Sequence, residues 1–269
     1  MSCGMKALDH LLDQCFGFDH RLWVYSGRRG VHCWISDDVA RNLDNESRSA
    51  VTNFLHIYVG NDKSGYKLTY DLRYPHPTFG LDSDLYRICE SYFISIYCLE
   101  ESMDIFNSKD RWSQLVNLLD NDAQAAIRTC IESSLSETNA TGEEIWDQIK
   151  ETLKERNRAS YIPYIVYSFV YPRLDANVSK QLNHLLKSPF CVHPSTEYIC
   201  VPMNSYEFYP EKDCPNVREL TEGSEKDAKL WRKAMKCFEA HLDNLWKKQQ
   251  QQAKIKKQES EHEKMDIDF

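Results

Sequence analysis

A short bend near the N-terminus, SGRRG at residues 26–30, constrains the fold of this chain more than any other feature. It joins RLWVYS to VHCWIS, two runs rich in aromatic and β-branched residues, and such runs around a glycine-containing loop predict a β-hairpin. Turning the chain requires glycine, asparagine, aspartate or proline, but it does not require two adjacent arginines. The bend is therefore either a hairpin with a charged tip or a rigid binding site for an anion.

Side chains suited to binding phosphate lie in and beside this bend. The guanidinium groups of Arg28 and Arg29 present planar pairs of donors that match phosphate oxygens two at a time. The Ser26 hydroxyl and the glycine amides can complete such a site, and His32 can donate a hydrogen bond or a positive charge to a triphosphate. The Walker phosphate-binding motif is absent from the sequence. These residues alone leave both alternatives open.

A second group of candidate residues lies in PRLDANVSKQLNHLLKSPFCVHP, residues 172–194. Asp175 stands beside Arg173 at the end of a strand-like run, where a carboxylate suits a divalent cation in phosphoryl chemistry. It equally suits capping of the following helix. Lys187 and His193 are spaced across a turn, and they either reach the same phosphates or are an ordinary surface lysine and loop histidine.

The net charge of −8 by itself argues against a nucleic-acid partner, but the distribution of charge removes that argument. Residues 81–160 contain 16 acidic and 8 basic side chains, whereas the rest of the chain contains 25 of each sign. The ten cysteines include no CxxC pair, and the polar first residues do not resemble a signal peptide, which indicates reduced thiols. The longest apolar run, residues 161–171, is too short to span a bilayer.

Hydrophobic periodicity predicts helices in three parts of the chain. The first part, near the N-terminus, has one helix at residues 5–16, ended by Gly17, and another over about 38–59. The acidic block is helical throughout, with a helix start at Asp82 or Ser83 and a capping box at Thr141. A last helix begins at Lys226.

Between the acidic block and this last helix the pattern changes. The run YIVYSFVYPRLD predicts a strand, VSKQLNHLLKSPF a short helix ended by Pro189, and CVHPSTEYICVPM a second hairpin that turns at residues 194–197.

The order of these motifs resembles a known family. SGRRGVHCW followed downstream by RLD, VS, NHLLKSPF and VHP is similar to the small, catalytic subunit of the eukaryotic and archaeal DNA primases, over about Met5 to Met203. The resemblance implies an α+β fold with a mixed or antiparallel β-core of the archaeal-eukaryotic primase type, an inserted helical subdomain and a C-terminal helix. The chain then divides into a partial catalytic core at 1–80 and 161–205, the inserted acidic subdomain at 81–160, a C-terminal segment with a packing helix at 206–246, and a disordered tail at 247–269.

The resemblance also implies roles for the candidate residues. Ser26, Arg28, Arg29 and His32 match the motif that grips the triphosphate of the incoming nucleotide in the family. Asp175 matches the third of three metal-binding aspartates and is the catalytic and metal-binding residue. Arg173, Lys187 and His193 match residues that line the same nucleotide site. The implied reaction is template-directed joining of ribonucleotides into a short RNA primer with two Mg²⁺ or Mn²⁺ ions.

Two parts of the family pattern are missing from this sequence. No D-x-D pair precedes Ser26, and the family's zinc module, which is built from cysteine and histidine, has no counterpart, so structural zinc is not expected. The chain is expected to begin just after that module. Asp175 alone cannot bind two cations about 4 Å apart, so the chain by itself is expected to make no primers and to fold poorly.

Three hypotheses follow. The chain is an incompletely recorded primase catalytic subunit, or a genuine short form without catalysis that binds nucleotide or a partner as a regulator, or an unrelated scaffold with a phosphate-binding hairpin. Under the first hypothesis the partners are the primase large subunit, DNA polymerase alpha, the single-stranded DNA template and ribonucleoside triphosphates. The protein is then nuclear and has no membrane partner.

Overall fold

The chain divides into two compact units in the computed structural model. The first comprises residues 1–5, 12–49 and 177–269, and the second comprises residues 6–11 and 50–176. The predicted insertion at 81–160 falls inside the second unit, while the predicted domain boundaries themselves stay a prediction. The structure describes residues 1–61, 65–68, 72–73, 76–138, 140–184, 186–203 and 210–267.

Helices dominate the described residues, so the fold is more helical than the predicted β-core implies. The strands form a three-stranded antiparallel sheet in the order β2-β1-β5 and a separate two-stranded sheet of β3 and β4. The strands are β1 (Arg21–Tyr25), β2 (Val31–Ile35), β3 (Tyr58–Asn61), β4 (Gly65–Leu68) and β5 (Pro202–Met203). The helices are α1 (Ser2–Phe16), α2 (Asp38–Arg41), α3 (Asn45–Leu55), α4 (Asp84–Phe93), α5 (Lys109–Val116), α6 (Asn121–Ser133), α7 (Gly142–Glu155), α8 (Tyr161–Val170), α9 (Ala176–Lys180), α10 (Pro210–Asp213), α11 (Val217–Thr221) and α12 (Glu225–Ile267).

The predicted N-terminal hairpin is confirmed. β1 and β2 pair antiparallel in a register that sets Tyr25 opposite Val31 and Val24 opposite His32. The strand β1 is also the central strand, because β5 pairs with its other edge. Residues of β1 are buried from Leu22 onward, so the hairpin is anchored in a core and its loop is held at the edge.

The local start signals in the acidic block are also confirmed. The Ser83 hydroxyl accepts a hydrogen bond from the amide of Tyr86 at 3.1 Å at the start of α4. Thr141 and Glu144 form the reciprocal capping box at the start of α7. In both helices a nearby side chain accepts hydrogen bonds from amides that the first turn leaves unpaired. The first residues of these helices are therefore predictable from the local sequence.

The predicted strand at residues 164–175 is wrong, because the apolar part of this run belongs to the helix α8. Every residue from Tyr161 to Tyr167 is buried, so the helix is apolar on all sides. A continuous apolar run does not distinguish a buried strand from a buried helix. Pro163 is tolerated because it lies in the first turn, where its missing amide has no helical acceptor.

Other predicted elements have different bounds. The helix over 38–59 is interrupted between α2 and α3, because Asp44 accepts a hydrogen bond from the amide of Ser47 at 2.7 Å and begins a new helix. The helix before Pro189 is only the five residues of α9. The second hairpin is reduced to an isolated antiparallel bridge between Val192 and Ile199.

The last helix differs most from its predicted bounds. α12 extends 43 residues to Ile267, where the sequence predicts a disordered tail from residue 247.

The buried carboxylate of Asp37 attaches α12 to the hairpin region. It accepts hydrogen bonds from the amide of His20 at 2.8 Å and from the Lys248 ammonium at 2.9 Å, and it lies 3.0 Å from Nδ1 of the His20 ring. Burial alone would raise the pKa of Asp37, but these partners outweigh burial and lower the pKa to about 2.

Asp37→Asn is expected to lower the free energy of unfolding by about 2 kcal/mol at pH 7. A depressed pKa in the folded state contributes stability that is present above pH 4 and is lost as the pH falls towards 2. The difference from wild type should therefore shrink over that range. Urea denaturation from pH 7 to pH 2 measures it, and the exposed Asp38→Asn is the control. A constant difference between wild type and Asp37→Asn at pH 7 and at pH 2 would contradict the pairing.

No helix in the described part of the chain is long and apolar enough to cross a membrane.

Candidate functional site

The loop between β1 and β2, residues 26–30, is closed by its own hydrogen bonds and is called the hairpin loop below. The amide of Ser26 donates to the carbonyl of Gly30 at 2.9 Å, and the amide of Gly30 donates to the Ser26 hydroxyl at 3.1 Å. The Tyr25 hydroxyl donates to the carbonyl of Arg28 at 2.8 Å. This framework leaves the side chains of Arg28 and Arg29 exposed on a constrained backbone.

A second segment, residues 187–200, lies directly against the hairpin loop. The Lys187 ammonium donates a hydrogen bond to the carbonyl of Ser26 at 3.3 Å. The Thr196 hydroxyl donates to the carbonyl of Gly27 at 2.6 Å. A methyl group added at Gly27 would lie 2.6 Å from Cβ of His193, so the two backbones approach as closely as glycine permits. The structure thus brings together Ser26, Arg28, His32, Lys187 and His193 from two distant parts of the sequence.

The second segment contains a tight turn between His193 and Tyr198. The amide of His193 donates to the carbonyl of Tyr198, and the amide of Glu197 donates back to the carbonyl of His193, both at 2.9 Å. Glu197 has a φ of 59°, which closes the turn. The predicted turn at 194–197 is therefore present, and it presents His193 to Gly27.

Positive charge dominates the electrostatics of this site. Burial, and then the charge of Lys187, lowers the pKa of His32. Desolvation, and then the charges of Lys187 and Arg28, lowers the pKa of His193. Both imidazoles are therefore neutral at pH 7, and a bound anion would favour their protonation.

One ring nitrogen of this site has an unmet hydrogen-bonding capacity. Nδ1 of His32 is buried and has no hydrogen-bond partner among the described residues. Buried polar atoms are nearly always paired with protein, water or ligand. This atom therefore fits a site that is completed by a ligand or by an ordered water.

Arg173 and Asp175 belong to the second unit. The Arg173 guanidinium lies over the ring of Tyr58, 5.9 Å from its centroid. Asp175 is exposed and directly precedes α9. Their grouping with the hairpin loop stays a prediction.

The candidate metal-binding side chains do not fit a site for two divalent cations. Among the described residues, no three histidine, cysteine, aspartate or glutamate side chains lie close enough to bind one metal ion. Two cations about 4 Å apart require bridging carboxylates, and Asp175 is the single carboxylate among the candidate residues.

Two contributors were not identified from the sequence. The sequence does not indicate the role of Thr196, because a single threonine in a turn is common. Gly27 was recognised as a turn residue, but its close contact with His193 depends on a residue 166 positions away and has no local signature.

Comparison of the sequence with known proteins finds one family, whose members are similar to most of this chain. The family model described as DNA primase small subunit matches residues 4–205, which include the hairpin loop and the second segment. The DNA primase small subunit of Schizosaccharomyces pombe is 37% identical over 243 residues, which are 85% of this chain and 51% of that protein. The DNA primase small subunit of Drosophila melanogaster is 32% identical over 215 residues, which are 76% of this chain and 48% of that protein.

The DNA primase small subunit of Saccharomyces cerevisiae is 30% identical over 298 aligned residues, covering 100% of this chain and 67% of that protein. The chain spans about half the length of the first two relatives. Because the family match covers residues 4–205 of 269, the chain belongs to the DNA primase small subunit family.

Proposed function

We propose that this chain carries the triphosphate-binding part of a primase small subunit, and that Ser26, Arg28, Arg29, His32, Lys187 and His193 bind a ribonucleoside triphosphate. The observation that carries the proposal is the hydrogen bond of Lys187 to the Ser26 carbonyl, which attaches an ammonium to the loop that contains the two arginines. Two arginines on a constrained loop, with a lysine hydrogen-bonded to the backbone of that loop, match the negative charge and the many oxygens of a triphosphate.

The reaction that we propose for the complete small subunit is template-directed synthesis of short RNA primers for DNA replication. This reaction is a nucleotidyl transfer. Asp175 would be the catalytic carboxylate that binds Mg²⁺ or Mn²⁺, and Arg173 would contact the nucleotide. The proposed partners are the single-stranded DNA template, the primase large subunit and DNA polymerase alpha, which would place the protein in the nucleus. These assignments rest on family membership and on the match of individual residues to its motifs.

We further propose that this chain by itself binds a nucleotide without joining nucleotides. Divalent cations stabilise the negative charge that develops on the attacking and leaving oxygens during nucleotidyl transfer. The carboxylates that would bridge two such cations are not gathered among the described residues. The triphosphate contacts do not depend on those carboxylates.

Isothermal titration with ATP tests the binding site. The double variant Arg28→Ala, Arg29→Ala is expected to weaken ATP binding about a hundredfold or more, since each charge-assisted contact contributes about 1.5–3 kcal/mol. Arg41→Ala removes another exposed arginine, which pairs with Asp38, and is the matched control. Equal affinity of wild type and the double variant would exclude this loop as the triphosphate site.

The same wild-type preparation, given single-stranded DNA, the four ribonucleoside triphosphates and Mg²⁺ or Mn²⁺, is expected to make no RNA. RNA synthesis would show that the chain contains a complete metal site. The ATP titration measures the triphosphate contacts independently of either result.

A further inference from the structure

The turn that opens the second segment contains a residue in an unfavourable backbone conformation. The amide of Cys191 donates to the carbonyl of Ser188 at 3.3 Å, with Pro189 and Phe190 between them. Phe190 has a φ of 66°. Proline followed by a residue with positive φ is the pattern of a type II turn, whose third position normally holds glycine or asparagine. A bulky aromatic residue in this region is an outlier.

The ring of Phe190 contacts α12. Its centroid lies 5.0 Å from that of Trp231 and 5.5 Å from that of Phe238. Phe238 in turn packs against the buried cluster of Leu22, Val24 and Cys200, which supports β1. Glycine would adopt the backbone conformation of this turn without strain. The contacts of the ring with α12 therefore explain why this position holds phenylalanine.

The backbone on both sides of Phe190 is held in place. The amide of Phe190 donates to the carbonyl of Cys200 at 2.7 Å, and the amide of Cys200 donates to the carbonyl of Cys191 at 2.8 Å. Lys187 lies three residues before this anchor and His193 lies three residues after it. A shift of Phe190 would therefore move both side chains relative to the hairpin loop.

We propose that Phe190 is a positioning residue, which anchors the turn to α12 and thereby holds Lys187 and His193 against the hairpin loop. The proposal rests on the proposed function for its consequence in nucleotide binding, but the positioning itself is a property of the unliganded protein. It also assigns a role to α12, which lies beyond the residues matched by the family.

The test compares Phe190→Gly, which keeps the turn and removes the ring, with Phe190→Tyr, which keeps the ring. Phe190→Gly is expected to weaken ATP binding about tenfold, because Lys187 must then be ordered on binding. Phe190→Tyr should stay within about twofold of wild type. Asn157→Gly, which relieves another residue of positive φ in the second unit, is the matched control.

A second measurement needs no nucleotide. Titration of the His193 ring by NMR in the unliganded protein is expected to show a higher pKa in Phe190→Gly than in wild type, because Lys187 moves away. If wild type fails to bind ATP, the proposed function fails, and this titration still decides the role of Phe190. An unchanged His193 pKa in Phe190→Gly would overturn the positioning role, and so would unchanged ATP affinity in a chain that binds ATP.

If Phe190→Gly does not fold, Trp231→Leu replaces it. That variant leaves the turn intact and removes the ring partner on α12. It is expected to raise the His193 pKa in the same direction, and no change in it would likewise overturn the proposal.

Discussion

Gly27→Ala is expected to weaken ATP binding about tenfold or more and to lower the free energy of unfolding by about 3 kcal/mol. Gly27 has a φ of 84°, a region that alanine rarely adopts. Its added methyl group would also lie 2.6 Å from Cβ of His193 and 3.3 Å from the carbonyl oxygen of Tyr198. Relief requires the hairpin loop and the second segment to separate, and this separation removes Lys187 from the Ser26 carbonyl.

Gly30→Ala is the matched control in the same loop. Its methyl group would meet only the Ser26 hydroxyl oxygen, at 3.7 Å, which is an ordinary contact. This variant should keep wild-type affinity for ATP and wild-type stability in urea. If Gly27→Ala and Gly30→Ala were indistinguishable in both measurements, the close packing of the two segments would be refuted.

Gly142→Ala is expected to destabilise the second unit by about 3 kcal/mol or more. Gly142 is the first residue of α7, and a methyl group there would overlap the carbonyl oxygen of Cys98. The obstacle is backbone, which cannot rotate away as a side chain can. Helix propensity alone predicts the opposite sign, because alanine is favoured over glycine by about 1 kcal/mol within helices. The sign of the measured change therefore distinguishes packing from propensity.

Thermal and urea denaturation followed by circular dichroism measure this change. Gly80→Ala is the control within the same unit, since its methyl group would lie 3.3 Å from the carbonyl oxygen of Pro77 and requires only a small adjustment. A midpoint for Gly142→Ala at or above that of wild type would contradict the contact with Cys98.

Local features of this protein were predictable because their causes are local. The N-terminal hairpin follows from two β-prone runs around a glycine-containing loop, and the start of α7 follows from Thr141 and Glu144, three residues apart. Such elements satisfy many of their backbone groups with residues nearby in the chain, so short stretches of sequence indicate them.

Burial and long-range contact decided the rest. The apolar run at 161–170 is equally compatible with a buried strand and a buried helix, and the structure shows it as α8 with Tyr161 to Tyr167 buried. The pairing of Lys187 with Ser26 joins residues 161 positions apart, and no local preference specifies it.

The sequence by itself thus determined which side chains are suited to a triphosphate, through the residue types of the hairpin loop and of the second segment. Only the tertiary structure decided that Gly27 must remain glycine and that Phe190 must adopt a strained conformation. The reason is that both requirements arise where one segment packs against another, and packing is a property of distance in space rather than of order along the chain.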